Sequence, residues 1–110
     1  MNRAYGASWF AEAPVVLVFT GLKREGWLRW DGTSYLLCDV AVVADHAVLA
    51  ATALGLGSCW VAAFEAGAVV EVLNLPDGEE PLLLIPLGYP KPGSTRPRVR
   101  KGMDQLIRRA

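Results

Sequence analysis

Three groups of side chains in this sequence could do chemistry, and the spacing within each restricts what that chemistry is. Acid–base work falls to a single histidine, His46, which stands beside Asp45 in an apolar run. Adjacent positions on a helix point about 100° apart, so the two do not face each other as a catalytic pair. His46 reads as a satisfied or surface residue. Cys38 and Cys59 are the two thiols, both in apolar surroundings. One histidine and two isolated cysteines supply no set of three or four metal ligands, so buried thiols and no metal are expected. The third group is RPRVRK, residues 96–101. Arg98 and Arg100 alternate along an extended segment, and two guanidiniums so placed can converge on one phosphate. A solvated tail is the alternative; as a nucleic-acid patch the cluster is small and lacks interleaved aromatics.

The stretch ALGLGSCWVAAF, 53–64, carries almost no side chain able to react. GLGSCW begins like a dinucleotide fingerprint, but Trp60 stands where the third glycine is needed, and the motif leaves a helix to enter a strand. A Rossmann site is excluded.

The elements that must position these residues follow from hydrophobic pattern. Residues 2–12, with Tyr5, Trp9 and Phe10, read as the last turns of a helix closed by Pro14. APVVLVFTG is a continuous β-branched run, a strand over 14–20 covered on both faces. Residues 21–34 form a loop or a poor hairpin with Gly21, Gly26 and Gly32. Its Trp27 and Trp30 suit a lid over a ligand or packing across a dimer. SYLLCDVAVVADHAVLAATALGLG runs some twenty residues as a helix, from a Ser/Thr N-cap to Gly55 at C′. Apolar residues surround it almost completely, so it is expected to be buried centrally or pressed against a partner. SCWVAAF reads as a strand, EAGAVVEVLNL as a brief amphipathic helix and EPLLLIPLGYP, 80–90, as a second continuous strand. A basic tail follows from 91, ending in MDQLIRRA, too short to be a stable helix alone. The order gives a layered α/β or α+β unit.

At 110 residues the chain fits one domain, and with 53% hydrophobic residues it holds more apolar surface than one small core needs. An oligomer is expected. Eleven basic and eleven acidic side chains cancel, so no global field draws the protein to nucleic acid or lipid. MNRAYGASWF has no apolar segment behind a basic cluster, which reads as cytoplasmic protein rather than a signal peptide. The apolar stretch 35–63 is broken by Asp39, Asp45, His46, Gly55 and Gly57, so no membrane span is expected.

Residues 39–64, DVAVVADHAVLAATALGLGSCWVAAF, followed by EVLNLPDG at 71–78 and LLLIPLGYP at 82–90, resemble the C-terminal half of the FMN-dependent nitroreductase family. The resemblance implies an α+β fold, a layered α/β/α sandwich in part, whose long central helix lies at a homodimer interface with FMN in a cleft between subunits. It implies reduction of nitroaromatic, quinone or similar small-molecule acceptors, with NADH or NADPH as co-substrate. By motif position the backbone of Trp60, Val61, Ala62 and Ala63 faces the isoalloxazine, with the amides of Ala62 and Ala63 as donors to its N5 and O4 region. Arg98 and Arg100 correspond to the basic pair that reaches the FMN phosphate. The match begins downstream of the family's Arg-Ser-x-Arg type opening, so residues 1–110 read as one truncated domain with a basic C-terminal tail over 91–110. A non-catalytic dimerisation or scaffold remnant that no longer binds FMN is the alternative from a different class.

Overall fold

The computed structural model describes residues 3–94 and 96–108. Its elements are α1 (Ser8–Ala11), β1 (Val15–Leu22), α2 (Leu36–Ala53), β2 (Gly57–Ser58), α3 (Ala66–Leu73), β3 (Glu79–Gly88) and α4 (Met103–Leu106). β3 is the central strand of an antiparallel sheet ordered β1-β3-β2. β1 pairs with it from Val15 opposite Leu87 to Leu22 opposite Glu79, with a register irregularity between Phe19 and Thr20 where Pro81 enters the ladder. A proline inside a strand cannot donate, and such breaks are where it is tolerated.

Alternation along the strands divides the core in two. Leu83, Ile85 and Leu87 face one side with Leu17 and Phe19, and there they meet Ala44 and Val48 of α2. Leu84, Val16 and Val18 face the other side, against Phe10 of α1 and Val69 of α3. Helices thus cover both faces, giving the layered α/β/α arrangement expected from the sequence. Each fully buried Leu, Ile or Phe contributes about 1.5–3 kcal/mol by leaving water.

The helix α2 ends in a Schellman motif: the Gly55 N–H bonds the Thr52 carbonyl, the Leu56 N–H bonds the Ala51 carbonyl, and Gly55 takes φ +74°. Only glycine adopts that conformation without strain, so the expected C′ glycine is confirmed. The N-terminus differs from expectation. Tyr35 is the N-cap, and no side chain caps the helix in the usual manner; Ser34 Oγ accepts only the Leu36 N–H, at 3.3 Å. Leu36 instead seats the helix by packing, lying so close to Gly21 and Gly26 that an added Cβ at either would sit 2.9 Å from its side chain.

Central burial of α2 is not what the structure shows. Ala44 and Ala51 are its buried residues, while Leu37, Val42, Val43 and Leu49 are more than half exposed. One sheet of this size covers one stripe of the helix and leaves the rest bare. By length and composition α2 is apolar enough to cross a membrane, with mean hydropathy 1.7. Asp39, Asp45 and His46 on it, and its seat on the sheet, favour protein rather than lipid against the bare side. The thiols also differ from expectation: Cys38 and Cys59 are both exposed, the first on the bare side of α2 and the second beside a break in the sheet.

The segment expected as the strand SCWVAAF is a strand only at its start. β2 pairs Gly57 with Gly88 and Ser58 with Leu87, and Val61 bridges Leu84 in the same register. Between them the ladder calls for a mutual pair of bonds linking Cys59 and residue 86, but residue 86 is proline and has no N–H. The strand opens there and does not resume after Val61. The helical turn expected within 2–12 reduces to α1, and the C-terminal segment forms the single exposed turn α4. Leu84, with no exposed surface, is predicted to cost about 2–5 kcal/mol when replaced by Ala, against less than 1 kcal/mol for Val99→Ala on the exposed tail, as read by urea unfolding.

Candidate functional site

After the break opposite Pro86, the chain is fixed again at one point. Val61 donates to the Leu84 carbonyl at 2.9 Å and accepts from the Leu84 N–H at 3.0 Å, and its side chain is buried. Four residues later the Glu65 N–H donates to the Ala4 carbonyl at 2.8 Å, just before α3 begins. Ala62 and Ala63 lie between these anchors, both exposed. Among the described residues neither amide N–H has a hydrogen-bond partner. These are two adjacent donors, held at both ends and carrying only methyl side chains, so a ligand can approach the backbone closely there. Phe64 packs against the core beneath, and Trp60 is 43% exposed at the near end.

One cavity borders the residues before this segment and another its end. One, of about 390 Å³, is bounded by Gly57, Cys59, Trp9, Leu87 and Tyr89. The other, of about 470 Å³, lies where Ala63, Phe64 and Glu65 meet Arg3 and Tyr5. Both are of a size that holds small ligands. Sequence reasoning missed both walls, because Trp9 and Tyr5 reach the site through contacts that span more than fifty residues. A T-shaped cluster of Tyr5, Trp9 and Phe10, with ring centroids 5.2–6.1 Å apart, fixes that wall. The mouth of the first cavity carries an ion pair of Lys91 with Glu12 at 2.9 Å. Glu12 raises the Lys91 ammonium above its ordinary value through that bond.

The structure does not bring Arg98 and Arg100 to residues 60–63. Both are exposed on the tail, neither borders either cavity, and among the described residues Arg100 Nη1 donates only to the neighbouring Val99 carbonyl, at 3.2 Å. His46 sits on the exposed side of α2 with Nδ1 2.8 Å from the Val42 carbonyl, away from Asp45, as its position on a helix implies. No group of three or more potential metal ligands is present among the described residues.

The loop after β1 is more ordered than a polar glycine-bearing stretch suggests. Leu28 bridges Ser34, and Gly32 turns with φ +83°. Arg29 Nε donates to Asp31 at 3.0 Å, and Arg29 Nη1 donates to Tyr35 Oη at 3.0 Å. Asp31 Oδ1 accepts the Thr33 N–H at 3.0 Å, and Trp27 stacks edgewise on Tyr35 at 5.0 Å. Trp30, at the tip, is 94% exposed.

The sequence profile of the Nitroreductase family matches residues 2–89. The chain belongs to the nitroreductase family. A protein of Methanocaldococcus jannaschii that bears a provisional nitroreductase name is 38% identical over 82 residues, 73% of this chain and 40% of the relative. The crystal structure of a nitroreductase family protein from Clostridium difficile 630 superposes with a TM-score of 0.80 at 30% identity, over 97% of this chain and 65% of that one. An oxidoreductase containing FMN, 19% identical, shares the fold with a TM-score of 0.64 over 81% of this chain and 46% of its own. The chain thus spans about two-fifths of the curated nitroreductase relative and just under two-thirds of the Clostridium protein.

The Arg29 fork holds the Asp31 carboxyl well below the usual carboxylate range, with help from the Thr33 N–H. A lowered folded pKa stabilises the loop fully above the ordinary value of about 4 and progressively less as pH falls below it. Tryptophan emission is predicted to change in an acid titration below about pH 4. Asp31→Asn is predicted to give, already at neutral pH, the emission that the native chain reaches only in acid; a spectrum indifferent to both changes contradicts the Arg29–Asp31 assignment.

Proposed function

We propose that this chain is an FMN-dependent NAD(P)H oxidoreductase of the nitroreductase type. It acts as a homodimer on nitroaromatic, quinone or similar small acceptors. The observation that carries the reading is the pair of free amides at Ala62 and Ala63, anchored by Val61 and Glu65. Family membership supports the same choice of cofactor. FMN, when bound, supplies the electron-carrying chemistry: hydride taken from NADH or NADPH and passed on to the acceptor.

The chain's own residues orient and shield. Ala62 and Ala63 would hold the N5 and O4 edge of the ring through their N–H donors, and the anchors would spare them the reorganisation that a free loop needs before it binds. Their methyl side chains let the backbone approach the ring. Trp60 bounds one end of the surface, and the buried Val61 keeps it level with the sheet. No side chain has to give or take a proton at this surface, because its donors are the backbone amides of Ala62 and Ala63.

Arg98 and Arg100 are assigned to the FMN phosphate. The eight residues from Pro90 span up to about 28 Å when extended, enough to reach a ligand lying along the sheet or a neighbouring subunit. Residues 91–110 then act as a basic arm of a single domain. The bare side of α2 is the homodimer contact, where it removes apolar surface from water.

Purified chain is predicted to take up FMN, turn yellow and bleach with NADPH or NADH. Ala63→Pro, which removes one donor, is predicted to weaken FMN binding at least tenfold while Ala63→Gly does not, and Arg98→Ala with Arg100→Ala to weaken it in a salt-dependent way. A folded chain that stays colourless with added FMN contradicts the reading and favours the scaffold alternative.

A further inference from the structure

The first cavity, of about 390 Å³, stands apart from the free amides: its border stops at Cys59 and takes in none of residues 60–63. Three stretches distant in the chain build it, 9–14, 57–59 and 86–94, and all three are stiff. Pro14, Pro86 and Pro90 each have a fixed φ. Gly57 and Gly88 let the backbone segments close up, since an added Cβ would sit 3.5 Å from Pro90 and 3.1 Å from Pro14 respectively. Trp9 is held edgewise by Tyr5 and the buried Phe10, with centroids 5.8 and 6.1 Å away, and still shows 44% of its surface. Walls that need no ordering cost a ligand little, and this volume suits a molecule of one or two rings.

The polar groups on the border select the charge of that molecule. Lys91 and Glu12 are the charged residues among those that line it, and they pair at 2.9 Å. That bond uses one of the three N–H donors of the ammonium. A tight turn seats Lys91 at the rim: the Ser94 N–H donates to the Lys91 carbonyl at 3.1 Å, and Gly93 takes φ +76°. A second donor lies deeper, the Cys59 N–H, which the break opposite Pro86 leaves without a partner among the described residues. An anion in the cavity has two donors to call on, where Glu12 has Lys91 alone. A cation would have to use Glu12 and would leave the Cys59 N–H unpaired.

We propose that this cavity is a second small-molecule site that binds a planar aromatic carboxylate, its rings on Trp9 and Tyr89 and its carboxylate taken over by Lys91 from Glu12. Tyr89 is 84% exposed in the free chain and gains the burial that an aromatic side chain favours when the rings arrive. The site stands independently of the flavin reading.

Titration of the full chain with 2-naphthoate, followed by the Trp9 indole N–H resonance as assigned with Trp9→Phe, tests this. Saturation is expected with a Kd on the order of 100 µM. Exposed ion pairs are weak, so the charge variants shift Kd by factors of only about two to five, but in opposite directions: Glu12→Gln tightens binding and Lys91→Gln loosens it. The neutral 2-naphthamide is expected to ignore both changes. Tyr89→Ala, at a residue outside the core, is expected to weaken 2-naphthoate about five- to tenfold. A Trp9 resonance that does not respond, or that follows protein concentration because a second copy covers the cavity, overturns the proposal. Charge variants that move 2-naphthoate the same way, or tighter binding of the cation 2-naphthylmethylamine, also overturn it. FMN that displaces 2-naphthoate makes the cavity part of the flavin site and overturns its separateness. A chain that binds 2-naphthoate as described yet takes up no FMN supports this site and removes the flavin reading.

Discussion

The site depends on one exchanged pair of hydrogen bonds, between Val61 and Leu84. Pro86 opens the ladder before it, and the sheet does not continue beyond it, so this pair fixes where the next two residues leave the sheet, and the Glu65–Ala4 bond holds their far end. An antiparallel edge normally presents alternating donors and acceptors to solvent, an invitation to add another strand. Here the edge is cut short by a proline and turned into α3 by the Glu65–Ala4 bond, leaving two donors in sequence and no strand to extend. Leu84 supports the arrangement from below: its backbone holds Val61, and its side chain lies in the same cluster as Val61, Phe10 and Val69.

The same pattern of constraint explains why the stretch around 53–64 is almost free of reactive groups. Gly55 is needed to end α2 in a left-handed turn, Gly57 sits where an added Cβ would approach the Gly88 carbonyl to 3.4 Å, and small residues follow where the backbone itself is offered. The proposed use of backbone amides is compatible with such a stretch, where small residues permit close approach.

Much of the fold was legible because it is set by local pattern. The continuous runs at 15–22 and 79–88 belong to strands covered on both faces, and Gly55 marks the end of α2 as its φ requires. What escaped sequence reasoning was set across the chain. The break at Cys59 comes from Pro86, which lies 27 residues away and reads in its own context as an ordinary strand residue. The exposure of both thiols and of α2 reflects how little one three-stranded sheet can cover, a quantity that hydropathy does not reveal. Residues 60–63 entered through family resemblance; the structure leaves the amides of Ala62 and Ala63 unpaired, whereas both backbone groups of Val61 are taken by Leu84. For Arg98 and Arg100 it supplies an exposed tail and no contact with the site.

Amide-resolved NMR of the full chain during a titration with FMN tests the central claim most directly. The account predicts that the Ala62 and Ala63 N–H resonances shift downfield and saturate together, while Val61 and Glu65, already bonded, move far less. Saturable binding that leaves the Ala62 and Ala63 amides unmoved, or a folded chain in which no amide responds to FMN, would contradict it.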